Sequence, residues 1–234
     1  MARLLFHADP HGDFAPLLAD IEQVSPDAVV LLGDYELDRP LDEVLAGVDV
    51  PVGWIHGNHD IEEKAYDFLF ASGHPSLDGR VMRVGGQRIA GLGGVFKEKV
   101  WYPGKGEPRH ASRQERLAAT GKGSRWRGGL PRRLRDAIWP AEWQELTTQS
   151  ADVLVLHEAP ESHPNGFRAL GDLARSLGVH TVLHGHHHHD YETRIEGGIR
   201  VIGLALSGSR VLDLPGSGVE GVMRRDEPEP ASDA

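Results

Sequence analysis

Histidines and carboxylates recur in this chain at the ends of short apolar runs. The run "RLLFHADPHGD" ends on Asp9 and His11, and "DAVVLLGD" ends on Asp34. "VGWIHGNHD" supplies Asn58, His59 and Asp60, and "DVLVLHEAP" supplies His157. "HTVLHGHHHH" supplies His184 and His186 to His189. One histidine after such a run is ordinarily a surface or core residue, but five such endings in one chain are hard to attribute to chance. Carboxylates and imidazoles gathered in one crevice are electrostatically poor partners without a cation, so the set implies divalent-metal chemistry. The chain has no cysteine. Disulfides and thiolate sites are therefore excluded, and His, Asp, Glu and Asn point to hard or borderline ions.

Spacing narrows the set. Asp9 and His11 are two residues apart, as are His186 and His188, and in an extended segment such pairs share a face. The four-histidine run then reads as two inward ligands, His186 and His188, with His187 and His189 pointing elsewhere. His184 is placed to orient a ligand or to touch substrate.

The apolar runs are the length and composition of buried strands. Helical stretches fall between several of them, at about 14–24, 40–47, 61–71 and 165–177. Strands alternating with helices predict an α/β layered fold, with the ligands collected in a crevice at the carboxyl ends of the strands. Two hairpins are expected, turning at Gly85-Gly86 and Gly197-Gly198, and "SRVLDL" adds an edge strand. The result is a two-sheet β-sandwich flanked by helices, one domain over residues 1–214. Residues 97–140, rich in Gly, Pro and Arg, interrupt the pattern as an insertion with one or two short helices. Residues 215–234 read as a disordered, Gly/Pro-rich tail.

Charge is uneven. The net charge is −10, yet Lys97–Arg135 holds twelve Lys/Arg and three Asp/Glu, a local +9 that leaves about −19 on the rest. Such an insert is either a solvated surface loop or an arm that attracts an anion. Its Trp101, Trp126 and Trp139 either anchor it to the body or stack on bases; anchoring is favoured. No run of about 18 apolar residues exists, and the N-terminus turns charged too early for a signal peptide. The expected location is the cytoplasm, without a membrane, and no protein partner can be inferred.

The residues singled out above match one family. The chain resembles the calcineurin-like metallophosphoesterases, whose five motifs occur in order: "DPH" (Asp9–His11), "GD" (Gly33-Asp34), "GNHD" (Gly57–Asp60), His157 in "LVLHEAP", and "GHHH" (Gly185–His188). The match runs from residue 3 to about 205. The resemblance implies a four-layer fold and a dinuclear site for two divalent ions, manganese, iron or zinc. Asp9, His11 and His188 would bind one metal, Asn58, His157 and His186 the other, and Asp34 would bridge them. The family often reads "GDxxD", its second Asp steadying the "GNHD" histidine. Here the segment is "GDYELD", with Asp38 one place late, so either the turn holds an extra residue or another group serves.

The reaction implied is phosphomonoester or phosphodiester hydrolysis by a metal-bridging hydroxide, with Asn58 touching the phosphoryl group. His59, unassigned to a metal, would protonate the leaving alkoxide, a role worth about 10²–10⁴-fold. The expected substrate is a small phosphoester or nucleotide. Two alternatives remain: a nuclease-like phosphodiesterase holding nucleic acid through the basic insertion, and a phosphate-binding scaffold without catalysis.

Overall fold

In the computed structural model, which describes residues 1–215, ten β-strands and six α-helices build two face-to-face sheets with helices outside. The four-stranded sheet has the order β10-β1-β2-β3, comprising Gly208–Leu214, Ala2–Ala8, Ala28–Leu31 and Val52–Trp54. The six-stranded sheet has the order β4-β5-β6-β7-β9-β8: Arg80–Val84, Gln87–Leu92, Val153–Leu156, Thr181–His184, Arg200–Gly203 and Tyr191–Arg194. β1, β2 and β3 run parallel, as do β5, β6, β7 and β9.

Alternation along each strand explains the layering, because successive side chains point to opposite faces. Leu4, Phe6 and Ala8 of β1 face inward against Val153, Val155, Leu183 and Ile202 of the other sheet. Their neighbours Leu5, Val29 and Leu31 face outward onto Leu17 of α1 (Ala15–Val24) and Leu69 of α3 (Glu63–Phe70). On the far side, Leu154 and Leu156 pack on Leu170, Leu173 and Leu177 of α6 (Arg168–Leu177). Both faces of each central strand are covered, which is why the sequence reads there as unbroken apolar runs.

The two hairpins form, with Val84 opposite Gln87 across Gly85-Gly86 and Arg194 opposite Arg200 across the second turn. "SRVLDL" lies in β10, an edge strand antiparallel to β1. The helices expected at about 14–24, 40–47, 61–71 and 165–177 begin and end inside those stretches, whereas the helix over Pro140–Thr147 is not among those expected. α2 is only Leu41–Val44, and α6 starts at Arg168 because Phe167 donates its N–H to the Ala159 carbonyl, holding that segment extended.

The insertion is closed at its base by Val95 N–H to the Asp136 carbonyl and Ile138 N–H to the Val95 carbonyl. It carries one α-helix, α4 (Arg113–Ala118), and two single 3₁₀ turns before α5 (Pro140–Thr147). It has a small core of its own, Val100, Leu130, Leu134, Ala137 and a fully buried Trp139. The expected disorder of the tail concerns Pro215 and residues 216–234; the latter lie outside the described residues.

Candidate metal centre

All five ligand-bearing loops leave the carboxyl ends of β1, β2, β3, β6 and β7. They meet at one edge of the sandwich. Within them, Asp9, His11 and His188 bring ligand atoms within 4.8 Å of one another, and so do Asp34, His157 and His186. Asn58 joins the second group, its Oδ1 lying 3.0 Å from His157 Nε2.

The tautomers follow from the partners. His157 is fully buried, and its Nδ1 donates to the Leu32 carbonyl at 2.9 Å. That turns Nε2 toward Asn58 Oδ1 (3.0 Å) and Asp34 Oδ2 (3.3 Å). His11 Nδ1 donates to Glu36 Oε1 at 2.9 Å, so its Nε2 lone pair meets His188 Nε2 at 3.2 Å. Such contacts are closed by a shared proton when no ion is present. They are also about the separations between ligand atoms held by one ion at roughly 2.0–2.2 Å. Imidazoles whose other ring N–H is taken by a carbonyl or carboxylate are what a metal ligand requires.

Charge tells the same story. Burial opposes protonation of His157, yet Asp34 and Asp9 beside it push it up to about 10. Asp9 is pushed up to about 6, chiefly by burial. Asp34 goes the other way: burial would raise it, but His157 and the His59 N–H hold it well below the usual carboxylate range. Without metal, a proton on His157 supplies the positive charge that this pocket demands. The donor set therefore fits divalent ions.

The backbone is bent to achieve this. Asp9, His11, Asp34, Glu36, His186 and His188 all have positive φ, between 42° and 68°. Such conformations cost non-glycine residues roughly 1–3 kcal/mol each and collect at functional sites. Two glycines make room for the carboxylates. A Cβ on Gly57 would sit 2.1 Å from Asp34 Oδ1, and one on Gly185 would sit 2.5 Å from Asp9 Oδ2. Asp60, buried, accepts from the backbone N–H groups of Asp34, Tyr35 and Gly57 and so ties the second loop to the third.

Several expectations need correction. His186 and His188 do reach inward, but through left-handed turns; residues 185–189 form no extended strand. His187 is not simply turned to solvent: its Nε2 lies 3.3 Å from Glu158, and its ring stacks on His163 at 3.9 Å. His189 is exposed. His184 stands outside both ligand groups, bonded to Tyr191 Oη (2.7 Å), which meets Ser162 Oγ (2.9 Å). Asp38 is exposed, and Glu36 takes the place expected for it: the oxygen that accepts from His11 also lies 2.9 Å from His59 Nδ1. The signal was present as "GDYE", with a carboxylate two residues after Asp34 where the family spacing suggested three.

Several arginines of the insertion reach toward the body of the domain. Arg127 pairs with Glu63 and Asp67, and Arg132 with Glu62, all on or just before α3. Arg135 stacks over Tyr66 and Trp126. Trp101 packs edge-on against Phe96 and Trp143. With Trp139 buried, the three tryptophans serve as anchors. Arg132 also lines, with Glu36, Leu37, His59, Glu62 and Lys64, a cleft of about 610 Å³ beside His59.

Comparison with known proteins agrees with this architecture. A crystal structure of the protein TT1561 of Thermus thermophilus superposes with a TM-score of 0.57 at 15% identity, covering 88% of this chain and 90% of that one. A dimetal phosphatase from Danio rerio gives 0.54 at 15% identity, covering 88% of each chain. An uncharacterized protein of Haemophilus influenzae is 39% identical over 203 residues, 82% of this chain and 85% of that one. The calcineurin-like phosphoesterase family profile matches residues 2–190. With that match over most of its length, the chain belongs to the calcineurin-like phosphoesterase family, hydrolytic enzymes that depend on divalent metal ions.

Proposed function

We propose that residues 1–214 form one catalytic domain that hydrolyses a small phosphomonoester or phosphodiester, such as a nucleotide, at a dinuclear centre. Asp9, His11 and His188 would hold one ion, Asn58, His157 and His186 the other, with Asp34 shared. The observation that carries this reading is the convergence of ligand atoms of His157, Asn58, Asp34, His11 and His188 in contacts of 3.0–3.3 Å. Manganese, iron and zinc all suit imidazole and carboxylate donors. When bound, such ions polarise phosphoryl oxygens and lower the pKa of water into the neutral range.

The chain's own residues complete the reaction. Asp34 and Asp9 supply fixed negative charge, and Asn58 offers an amide toward the phosphoryl group. His59, half exposed, keeps Nδ1 beside Glu36, which leaves Nε2 to carry a proton to the leaving oxygen. The adjoining cleft gives the leaving group room. The pairing of Arg127 and Arg132 with acids on the body favours a small phosphoester over a nucleic-acid backbone.

Chelation tests the proposal. Metal-stripped protein should lose activity on monoester and diester substrates alike, and Mn²⁺ should restore it at about two ions per chain. Activity that survives complete stripping would defeat the dinuclear reading.

A further inference from the structure

If His59 gives its proton to the leaving oxygen, the cleft beside it is where the leaving group lies. That cleft holds about 610 Å³, within the usual range of small-molecule sites, roughly 300–1,000 Å³. Leu37 and Ala65, both buried over most of their surface, contribute its apolar lining. Three carboxylates also line it, and each already has a partner. Glu36 lies 2.9 Å from both His11 and His59, Glu62 pairs with Arg132, and Glu63 pairs with Arg127. Lys64 lines the same cleft, and its ammonium has no ion pair or hydrogen bond among the described residues. Arg132 reaches Glu62 through Nη1 alone. Its Nε–Nη2 edge stays free, and parallel N–H groups of that kind match two oxygens of a phosphate.

We infer, on the basis of the hydrolytic reading above, that the leaving group carries a phosphate of its own, received by Lys64 and Arg132. The preferred substrate is then a bisphosphorylated small molecule. A neutral leaving group would leave Lys64 without a partner, and a cationic one would meet Lys64 and find every carboxylate engaged. Hydrolysis leaves the second phosphate untouched. Water supplies hydroxyl to the scissile phosphorus, the bond from phosphorus to the leaving oxygen breaks, and His59 protonates that oxygen. The water's remaining proton replaces the one His59 gives. The products are inorganic phosphate and a phosphorylated alcohol.

The test compares propane-1,3-diol bisphosphate with propyl phosphate on the full-length, metal-loaded protein. The bisphosphate should have a kcat/KM about five- to tenfold higher, the scale of two partly exposed ion pairs, and the preference should shrink as salt is added. Lys64→Ala should abolish most of the preference, Arg132→Ala part of it, and Lys64→Arg should retain it. The readout is the ratio between the two esters within each variant, so a general loss of activity does not imitate the effect. Binding of the product is measured on metal-stripped protein, by amide chemical shifts during titration with 3-hydroxypropyl phosphate. Shifts should appear at residues 62–65 in the wild type and be lost in Lys64→Ala. Equal kcat/KM for the two esters, a preference that survives Lys64→Ala, or no shifts at residues 62–65 overturns the inference and leaves the hydrolytic reading standing. Failure to hydrolyse either ester, with two ions bound, overturns both.

Discussion

His59 lies outside both ligand groups although its neighbour Asn58 is in one, and Glu36 holds its Nδ1 edge. A proton donor is needed only when the leaving group is a poor anion. His59→Ala should therefore keep its metal content and lose about 10²–10⁴-fold in kcat on alkyl phosphoesters. On nitrophenyl esters the loss should be small, and an equal loss on both substrates would show that His59 positions substrate instead. Glu36 touches two histidines with one oxygen, so Glu36→Ala should weaken metal binding through His11 as well as proton transfer through His59. Removing such supporting groups typically costs about 10–100-fold. Metal titration of this variant, set beside the leaving-group dependence of its kcat, separates the two contributions. His59→Ala should show only the second.

Among the elements, the loops carry the site and the strands only aim them. Asp60 joins two loops through three N–H groups, and burial is the main reason its carboxyl sits above the usual range. Asp60→Ala would strand three buried donors, each costing about 1–3 kcal/mol. It should lower Tm markedly and loosen metal binding together. Gly57→Ala should behave differently. The added methyl would overlap Asp34 Oδ1, so metal content should collapse while the circular dichroism spectrum of the sheets persists. α3 and the insertion form the other coupled pair. Because Arg127 and Arg132 pair with surface acids, changing both to Ala should lower Tm by no more than a few degrees. Any change in KM should come from Arg132, which alone of the two lines the cleft beside His59. Kinetics of the two single variants across a salt series check this.

At the scale of the whole molecule, the outward faces of β1 and β7 bury histidines, His7 and His184, that lie outside both ligand groups. Burial pushes His7 down to about 4, and His184 likewise to about 4. Folding thus favours their neutral forms, while the unfolded chain takes up protons below about 6.5. The stability they contribute is complete above about pH 6.5 and is lost as pH falls toward 4, up to about 3 kcal/mol for each. Urea unfolding of metal-free protein should show this decline, and His7→Gln should flatten it. An unchanged slope in that variant would mean that His7 is solvated in the native state. No helix among the described residues is long and apolar enough to cross a membrane.

The sequence alone determined the α/β layering, the two hairpins, the edge strand and the donor residues that gather at one edge. Those follow from local rules: alternation and apolar runs report burial, paired glycines report turns, and donors at strand ends share one edge once the strands are parallel. Tertiary structure decided what depends on approach between distant segments. Glu36 rather than Asp38 meets His59 because the turn after Asp34 takes positive φ at both Asp34 and Glu36. Spacing cannot show this, since one left-handed residue redirects every side chain after it. His186 and His188 point inward by the same device, not by the alternation that suggested them. The insertion's charge was plain in composition, but its direction was not. Only the placement of α3 beneath it shows Glu62, Glu63 and Asp67 waiting for Arg127 and Arg132. Glu158 and His187, 29 residues apart, become neighbours because β6 and β7 are adjacent parallel strands. That pairing is set by the register of the sheet and by no feature of either residue.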